Sequence, residues 1–483
     1  MKFKILKDHF KESSILKSLL SLHQWDMETM MPSGAINDRA LRLSYLESKI
    51  HNHNTSKKYH KLLNTLSKSK LTKIQKKLIQ ESLFDYSLKS KLPSKHIIEL
   101  STVTTHASHV WGKARKENDW KVFAPHLKKI VQLKKREITF FNHKNPYDSL
   151  LQFYERDYNT SEIEIIFNNL KEGLKPIIKN VSPSFLKENS FKEKFFLENQ
   201  KKLNEHFCNL IGLPKKFSRL DVSNHPFSIN ISPYDQRITT RYCEDDFFSL
   251  YSTLHEIGHA LYELHLPNAW EGSPLQESIS LSAHESQSRF WENIIGRSKN
   301  FAIFLAPQLA NFFPNLKEKF HSDKLFYFLN HSKPGTIRVD SCELYYNLHI
   351  IIRFEIEKAL IGGDISVADL PDIWNQKYKD YLGIKVRNFS EGLLQDSHWA
   401  AGAFGYFPTY ALGNLISATL NKKCSLQIKN EDQLIIQGNF SEHLNFMVKN
   451  LHSKGRMTSV KKIIPELGVE DYLEYLSKKL IET

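Results

Sequence analysis

One run of residues has the types and spacing for metal-assisted hydrolysis: His255-Glu256-Ile257-Gly258-His259. Helix positions four apart leave the same face one turn from each other, so these two imidazoles can grip one ion. An ion held in this way lowers the pKa of its water to about 7, and a neighbouring carboxylate can take the proton as the water attacks a carbonyl carbon. Glu256 is placed for that task. It can then pass the proton to a leaving amine, which would otherwise depart as an amide anion. With 22 His in the chain some pairs arise by chance, yet chance gives only on the order of 0.05 copies of the full pattern.

Two imidazoles do not complete a site, because a third ligand and an open position are needed. After a break from Pro267 to Pro274, the segment Glu277 to Ile295 is predicted to be helical and to return antiparallel, carrying His284-Glu285 back toward the first helix. On spacing alone Glu271, Glu277, Glu285 and Glu292 all compete for the third position.

The elements that must position these groups are legible around them. Phe247, Leu250, Leu254, Ile257, Leu261 and Leu264 recur at helical spacing, and Glu244, Asp245 and Asp246 suit a helix N-terminus, so a helix is predicted over Asp246 to Leu264. Just upstream, Leu220 to Tyr242 is rich in β-branched residues (Val222, Ile229, Ile231, Ile238, Thr239, Thr240), which predicts a small sheet. Elsewhere apolar residues keep three-and-four spacing, as in Leu41, Leu43, Tyr45, Leu46 and Ile50, or Ile163, Ile165, Ile166, Leu170 and Leu174. Pro93, Pro146, Pro176, Pro214, Pro334-Gly335 and Gly362-Gly363 read as helix ends and turns. No repeat of 20 to 50 residues and no low-complexity tract is present, which excludes solenoids. The expected architecture is mainly α, one large helical domain over residues 1–483 with a small β-sheet.

Composition limits the alternatives. Apolar residues make up 41% of the 483, with 31 Phe and 19 Tyr, enough for a large core. The net charge of +14 raises nucleic-acid binding, but the lysines are dispersed along helical patterns such as Leu63 to Lys77. They read as solvated faces, and no nucleic-acid partner is expected. The first residues lack an apolar stretch suited to export, and no segment approaches the roughly 20 apolar residues of a membrane span. Cys208, Cys243, Cys342 and Cys424 are far apart with no Cys-x-x-Cys pair, so neither a thiolate metal site nor disulfides are expected, and a reducing cytoplasm suits them.

Taken in order, several blocks resemble the carboxypeptidase Taq family of metallocarboxypeptidases along nearly the whole chain. They are His225-Pro226-Phe227, Asp235-x-Arg237-Ile238-Thr239, His255-Glu256-x-x-His259, His284-Glu285-Ser286-Gln287-Ser288 and Gly392-x-x-Gln395-Asp396-x-His398-Trp399. Trp25-Asp26, Met31 to Ala35 and Gly405 to Gly413 resemble the family as well. The resemblance implies a helical fold with a deep cleft, similar to angiotensin-converting and thimet-type peptidases. It implies one divalent metal ion on His255, His259 and Glu285, with zinc the default and cobalt or manganese acceptable to the same donors. Glu256 is then the base, and homodimers removing single residues from peptide C-termini are expected. An endopeptidase or dipeptidase on the same scaffold and a catalytically silent peptide-binding protein are the competing readings.

Further roles follow from this resemblance. Tyr410, then Tyr406 and His398, resemble the cluster that donates to the oxyanion in thimet-type peptidases. A carboxypeptidase needs a cation for the substrate's terminal carboxylate, and Arg338 and Arg237 occupy family positions suited to it; the other reading pairs them structurally with Asp340 or Asp235. His225 reads as a residue that lines or narrows the cleft, and Gln395-Asp396 as a pair orienting His398 or a ligand histidine. The match weakens at Ile337-Arg338-Val339-Asp340-Ser341-Cys342, where Cys342 stands for the family's Asp. The carboxylate missing there would bear on Arg338 if it normally anchors that arginine.

Overall fold

Amphipathic periodicity becomes helix wherever the sequence also offers a start. In the computed structural model, which describes residues 2–187, 191 and 193–482, Thr72 with Gln75 and Asn159 with Glu162 form reciprocal capping boxes. The chain is 67% helical with one three-stranded sheet, as the sequence pattern predicts. The helices that matter here are α1 (Lys2–Thr29), α2 (Ile36–Asn54), α3 (Ser94–Glu117), α4 (Thr160–Asn180), α5 (Phe248–Leu264), α6 (Leu281–Arg289), α7 (Glu343–Gly362) and α8 (Pro408–Ser425). Pro176 does not end its helix: α4 runs on to Asn180, because a proline so near the C-terminus forgoes a single ladder bond.

The strands β1 (Ser218–Val222), β2 (Ser228–Ser232) and β3 (Asp235–Thr240) lie in the order β1-β3-β2, with β3 parallel to β1 and antiparallel to β2. Arg219 and Arg237 are register partners across β1 and β3. Their guanidinium groups hold the Trp25 ring of α1 between them at 5.0 and 4.4 Å from its centroid, so cation–π contacts dock the first helix on the sheet.

Behind the sheet, α5 is buried on almost every side, with Leu250, Leu254, Ile257 and Leu261 all at 0% exposure. It starts at Phe248 rather than Asp246 because the Asp246 carboxylate accepts the Phe248 N–H at 2.8 Å and so caps from outside. Its partner α6 begins at Leu281, capped by Ser280, and continues through π-helical turns over Phe290–Ile295. The predicted helix over Glu277–Ile295 is therefore shorter at its start. The main core extends from Ala107 to Leu480, and a smaller one under the N-terminal helices joins Leu6, Leu63 and Leu78 to Leu275.

Two glycines set the spacing of the site helices. A Cβ on Gly258 of α5 would stand 2.3 Å from the Gln287 carbonyl oxygen, and one on Gly413 of α8 would stand 2.7 Å from Glu285 Cγ. Helix α6 is thus held between two backbones that approach it where no side chain fits.

Candidate metal centre and substrate cavity

His255 and His259 project from one face of α5, and Glu285 of α6 meets them. Glu285 Oε2 lies 3.7 Å from His255 Nε2 and 3.2 Å from His259 Nε2. The donor atoms of all three residues fall within 4.8 Å of one another. Donors about 2.0–2.2 Å from a tetrahedral ion lie roughly 3.3–3.6 Å apart, so these separations and this His, His, carboxylate set fit a divalent metal. Of the four acidic candidates, Glu271 and Glu277 lie outside this group and Glu292 does something else: its Oε2 meets His255 Nδ1 at 2.8 Å. That contact fixes which nitrogen of His255 faces Glu285.

Arg289, one turn after Glu285, ties the two carboxylates together. Its Nε donates to Glu285 Oε1 at 2.8 Å and its Nη1 to Glu292 Oε2 at 3.1 Å. Burial opposes ionisation of Glu285, but His255, Arg289 and His259 outweigh it and hold that carboxyl far below the usual range. The same contest at Glu292, with burial against Arg289, His255 and Arg297, brings it down to about 2. Burial, with His284 adding to it, pushes His259 down to about 3, which leaves the neutral imidazole that a ligand must be. His259 Nδ1 is buried without a hydrogen-bond partner, and its ring is instead stacked on His284 at 4.5 Å.

Glu256 is 5% exposed and has no hydrogen-bond partner among the described residues. Burial, helped by the negative Glu285 and Glu292 and opposed by His255, pushes its carboxyl up to about 7. It lines a cavity of about 230 Å³ together with His255, Arg338, His398 and Tyr410. A larger cavity of about 450 Å³ lies along the same two helices one turn further on, at Glu263 and Leu281, bordered by Asn230 to Pro233 of the sheet. Chemistry belongs with the smaller one, since it alone holds Glu256.

The remaining expected residues divide. Tyr410 and His398 are together, with His398 Nε2 2.7 Å from the Tyr410 hydroxyl. Burial depresses the His398 imidazole to about 3, so the neutral ring accepts or donates without carrying charge. Tyr406 packs edge-on against Tyr410 at 5.3 Å, behind the cavity wall. His225 lines the cavity. Its loop is fastened by Thr239 of β3, whose hydroxyl accepts the Phe227 N–H at 2.9 Å, and so two of the sequence blocks act as one unit.

Arg338 also lines the cavity, but its fork is occupied. Nε and Nη2 both donate to Asp396 Oδ1, at 2.9 and 2.7 Å, and Nη1 donates to the Tyr346 hydroxyl at 2.8 Å. Arg353 shares Asp396 through Oδ2 at 2.6 Å. Asp396 therefore serves two arginines and stands 3.9 Å from His398 Nδ1, and neither it nor Gln395 reaches a ligand histidine. Arg237 is held bidentately by Asp235 at 3.0 and 2.9 Å, faces Trp25, and does not line the cavity. Cys342 is the N-cap of α7 and makes no side-chain cap. The family's carboxylate at that position would face the helix start, not Arg338, whose anchor is Asp396.

Sequence reasoning missed Glu292 as the partner of His255, and with it Arg289, Tyr346, Arg115 and Arg241. Arg289 and Glu292 follow Glu285 by four and seven residues, one helical face, and that spacing was a usable signal. Nothing local marks Arg115.

Two imidazoles, a carboxylate and a free glutamate at the wall of a cavity in a helical fold define a metallohydrolase. The family model described as carboxypeptidase Taq (M32) metallopeptidase matches residues 5–480, and the chain belongs to that family. It is 36% identical to carboxypeptidase 1 of Bacillus subtilis over 98% of this chain and 96% of that protein. It is 34% identical to thermostable carboxypeptidase 1 of Thermus thermophilus, over 97% and 96%. Among solved structures it superposes on one titled BsuCP at a TM-score of 0.93 with 35% identity, covering 99% and 98% of the two chains. On the M32 carboxypeptidase of Deinococcus radiodurans it gives a TM-score of 0.92 with 30% identity over 99% and 98%. The protein is a peptide hydrolase of the metallocarboxypeptidase class. No helix among the described residues is long and apolar enough to cross a membrane.

Proposed function

We propose that residues 1–483 form one metallocarboxypeptidase domain that releases single amino acids from the free C-termini of peptides. The observation that carries the mechanism is the pairing of a closed donor triad, His255, His259 and Glu285, with a neighbouring Glu256 carboxylate that nothing else engages. A divalent ion on that triad supplies the electrophile and an acidified water. Glu256 takes the water's proton and returns it to the leaving amine, which its raised carboxyl pKa suits. The Tyr410 hydroxyl, oriented by His398, donates to the oxyanion as charge develops there, and Tyr406 braces Tyr410 from behind. Arg338, fixed by Asp396 and Tyr346, adds positive charge to the wall of the cavity where a substrate's end must lie. Arg237 supports the site at a distance, through Trp25 and the sheet.

Zinc is the metal of this proposal because the donor set and spacing suit it, with cobalt and manganese the substitutes. A homodimeric assembly and a cytoplasmic location complete it. The family membership supports the first and four free thiols support the second. The deciding experiment is a timed mass analysis of one unblocked peptide and its C-terminally amidated twin. Stepwise loss of C-terminal residues from the first and none from the second is expected. Glu256→Gln should abolish turnover, by roughly 10²–10⁴-fold or more, with metal content unchanged. Internal cleavage of the amidated peptide overturns the exopeptidase reading in favour of an endopeptidase. Peptide binding without release of any amino acid overturns catalysis altogether.

A further inference from the structure

A carboxylate-terminated substrate entering the cavity beside Glu256 must find a cation whose donors are not already spent. Arg338 has given Nε and Nη2 to Asp396 and Nη1 to the Tyr346 hydroxyl, and Arg237 has given its fork to Asp235 outside the cavity. Besides Arg289, which is spent on Glu285 and Glu292, two other guanidinium groups line the same space, Arg115 of α3 and Arg241 just after β3. Among the described residues neither has a carboxylate oxygen within ion-pair distance.

Arg115 is half-buried and held in place from two sides. Its guanidinium carbon lies 5.7 Å from the Trp111 ring centroid, and its Nη1 is 2.8 Å from His225 Nε2. Trp111 is itself pinned, since its indole N–H donates to the Leu394 carbonyl at 3.0 Å. His225 accepts the bond as a neutral ring: burial, with Arg115 and Arg241 adding to it, lowers its pKa to about 4. A neutral acceptor orients a guanidinium without cancelling its charge. Arg241 lies over Phe248 at 5.6 Å, is otherwise exposed, and shares the cavity wall with Asn224, Asp340 and Ser397. Asp396 and Asp340 bring negative charge to Arg115 through space, but neither makes a hydrogen bond or ion pair with either arginine among the described residues. Two oriented cations without a bound anion, beside an unengaged base, form a receptor for a planar anion.

We propose that Arg115 and Arg241 together receive a carboxylate of the substrate's C-terminal residue, and that Trp111 and His225 are positioning residues for Arg115. This gives the His225 block a role beyond narrowing the cleft. The proposal rests on the peptidase reading, so its test measures binding and not turnover. In a zinc-loaded Glu256→Gln background, calorimetric titration compares three pentapeptides: one ending in Ala, one ending in Glu, and the amidated twin of the first. Adding Arg115→Gln or Arg241→Gln should weaken the free-acid peptides roughly ten- to a hundred-fold, the span of a charge-assisted hydrogen bond, and leave the amidated twin unchanged. Equal weakening for Ala and Glu endings assigns the main-chain carboxylate, and weakening confined to the Glu ending assigns its side chain. His225→Phe should weaken the same peptides, and His225→Gln, which keeps an acceptor, should restore part of the loss. Free-acid affinities unchanged in both arginine variants overturn the proposal. Arg241 is exposed, so loss of folding in the Arg115 variant would leave the Arg241 measurement decisive. A wild-type enzyme that binds these peptides and releases nothing would count against the peptidase reading alone.

Discussion

Close packing of α8 on a ligand side chain makes Gly413→Ala an informative perturbation. An alanine Cβ would lie 2.7 Å from Glu285 Cγ and 2.8 Å from its Cβ, where ordinary contact begins at 3.4 Å. The Glu285 stem must therefore retreat by about 0.7 Å, because its other side is closed by α5 at Gly258, where backbone already meets backbone. A metal site tolerates ligand displacements of about 0.2 Å. Two effects on stability oppose each other: overpacking costs about 1–3 kcal/mol, and replacing a mid-helix glycine recovers about 1 kcal/mol. The melting temperature should then move little, while metal affinity falls about 10–100-fold, the loss typical when a ligand's support is disturbed. Competition against a chelator of known affinity reads this directly, and activity should return at excess metal. A Gly413→Ala protein that holds zinc as tightly as wild type would refute the claim that the two glycines set the Glu285 position.

Two further outcomes follow from the same contacts. Cys342→Asp should stabilise the protein by about 1 kcal/mol by capping α7, visible as a higher urea midpoint, with kcat/KM unchanged because Arg338 is anchored by Asp396. Glu357 is fully buried and its carboxyl is raised by that burial from 4.5 to about 7, despite bonds from Gly405 N–H, Tyr147 and Trp399. The folded state thus keeps a proton that the unfolded state releases between those values, so this group's contribution to stability is greatest below the lower value and is lost as pH rises to the upper one. Relative to Glu357→Gln, wild type should lose about 3 kcal/mol between pH 4.5 and 8 in paired urea titrations, and parallel curves would refute the assignment.

How much was legible depended on the range of the contact that decides each role. His255, Glu256 and His259 were readable because their relation is one helical turn. The helices and sheet were readable for the same reason; the starts of the two site helices moved, where Asp246 and Ser280 cap them, and Pro176 lies inside its helix instead of ending it. Glu285 needed the family blocks, since an antiparallel return of α6 leaves four carboxylates as candidates and only the tertiary packing decides which of them meets both Nε2 atoms. Arg237 had Asp235 two residues away, the structural alternative, and that is the contact the structure shows; the strand register that turns it toward Trp25 was not in the sequence pattern. Arg115 was invisible because its partner His225 is 110 residues away.

The four acidic groups around the centre show why proximity alone assigns no role. Glu292 is as near to His255 as any ligand, yet it meets Nδ1, so the opposite ring nitrogen is the one turned to Glu285. Arg289 occupies one oxygen of Glu285 and leaves Oε2 to the imidazoles, which a bidentate ligand would not allow. Asp396 is consumed by two buried guanidinium groups and is held far below the carboxylate range by them against its burial, so it cannot move protons near neutral pH. Glu256 has none of these partners. Burial, with the negative Glu285 and Glu292 and against His255, raises its proton affinity, where direct cationic partners lower theirs, and a base that must both take and return a proton near neutral pH requires that difference. The division is set by which donors reach each carboxylate: Arg289 and His255 engage Glu285 and Glu292, Arg338 and Arg353 engage Asp396, and the cavity is left to Glu256.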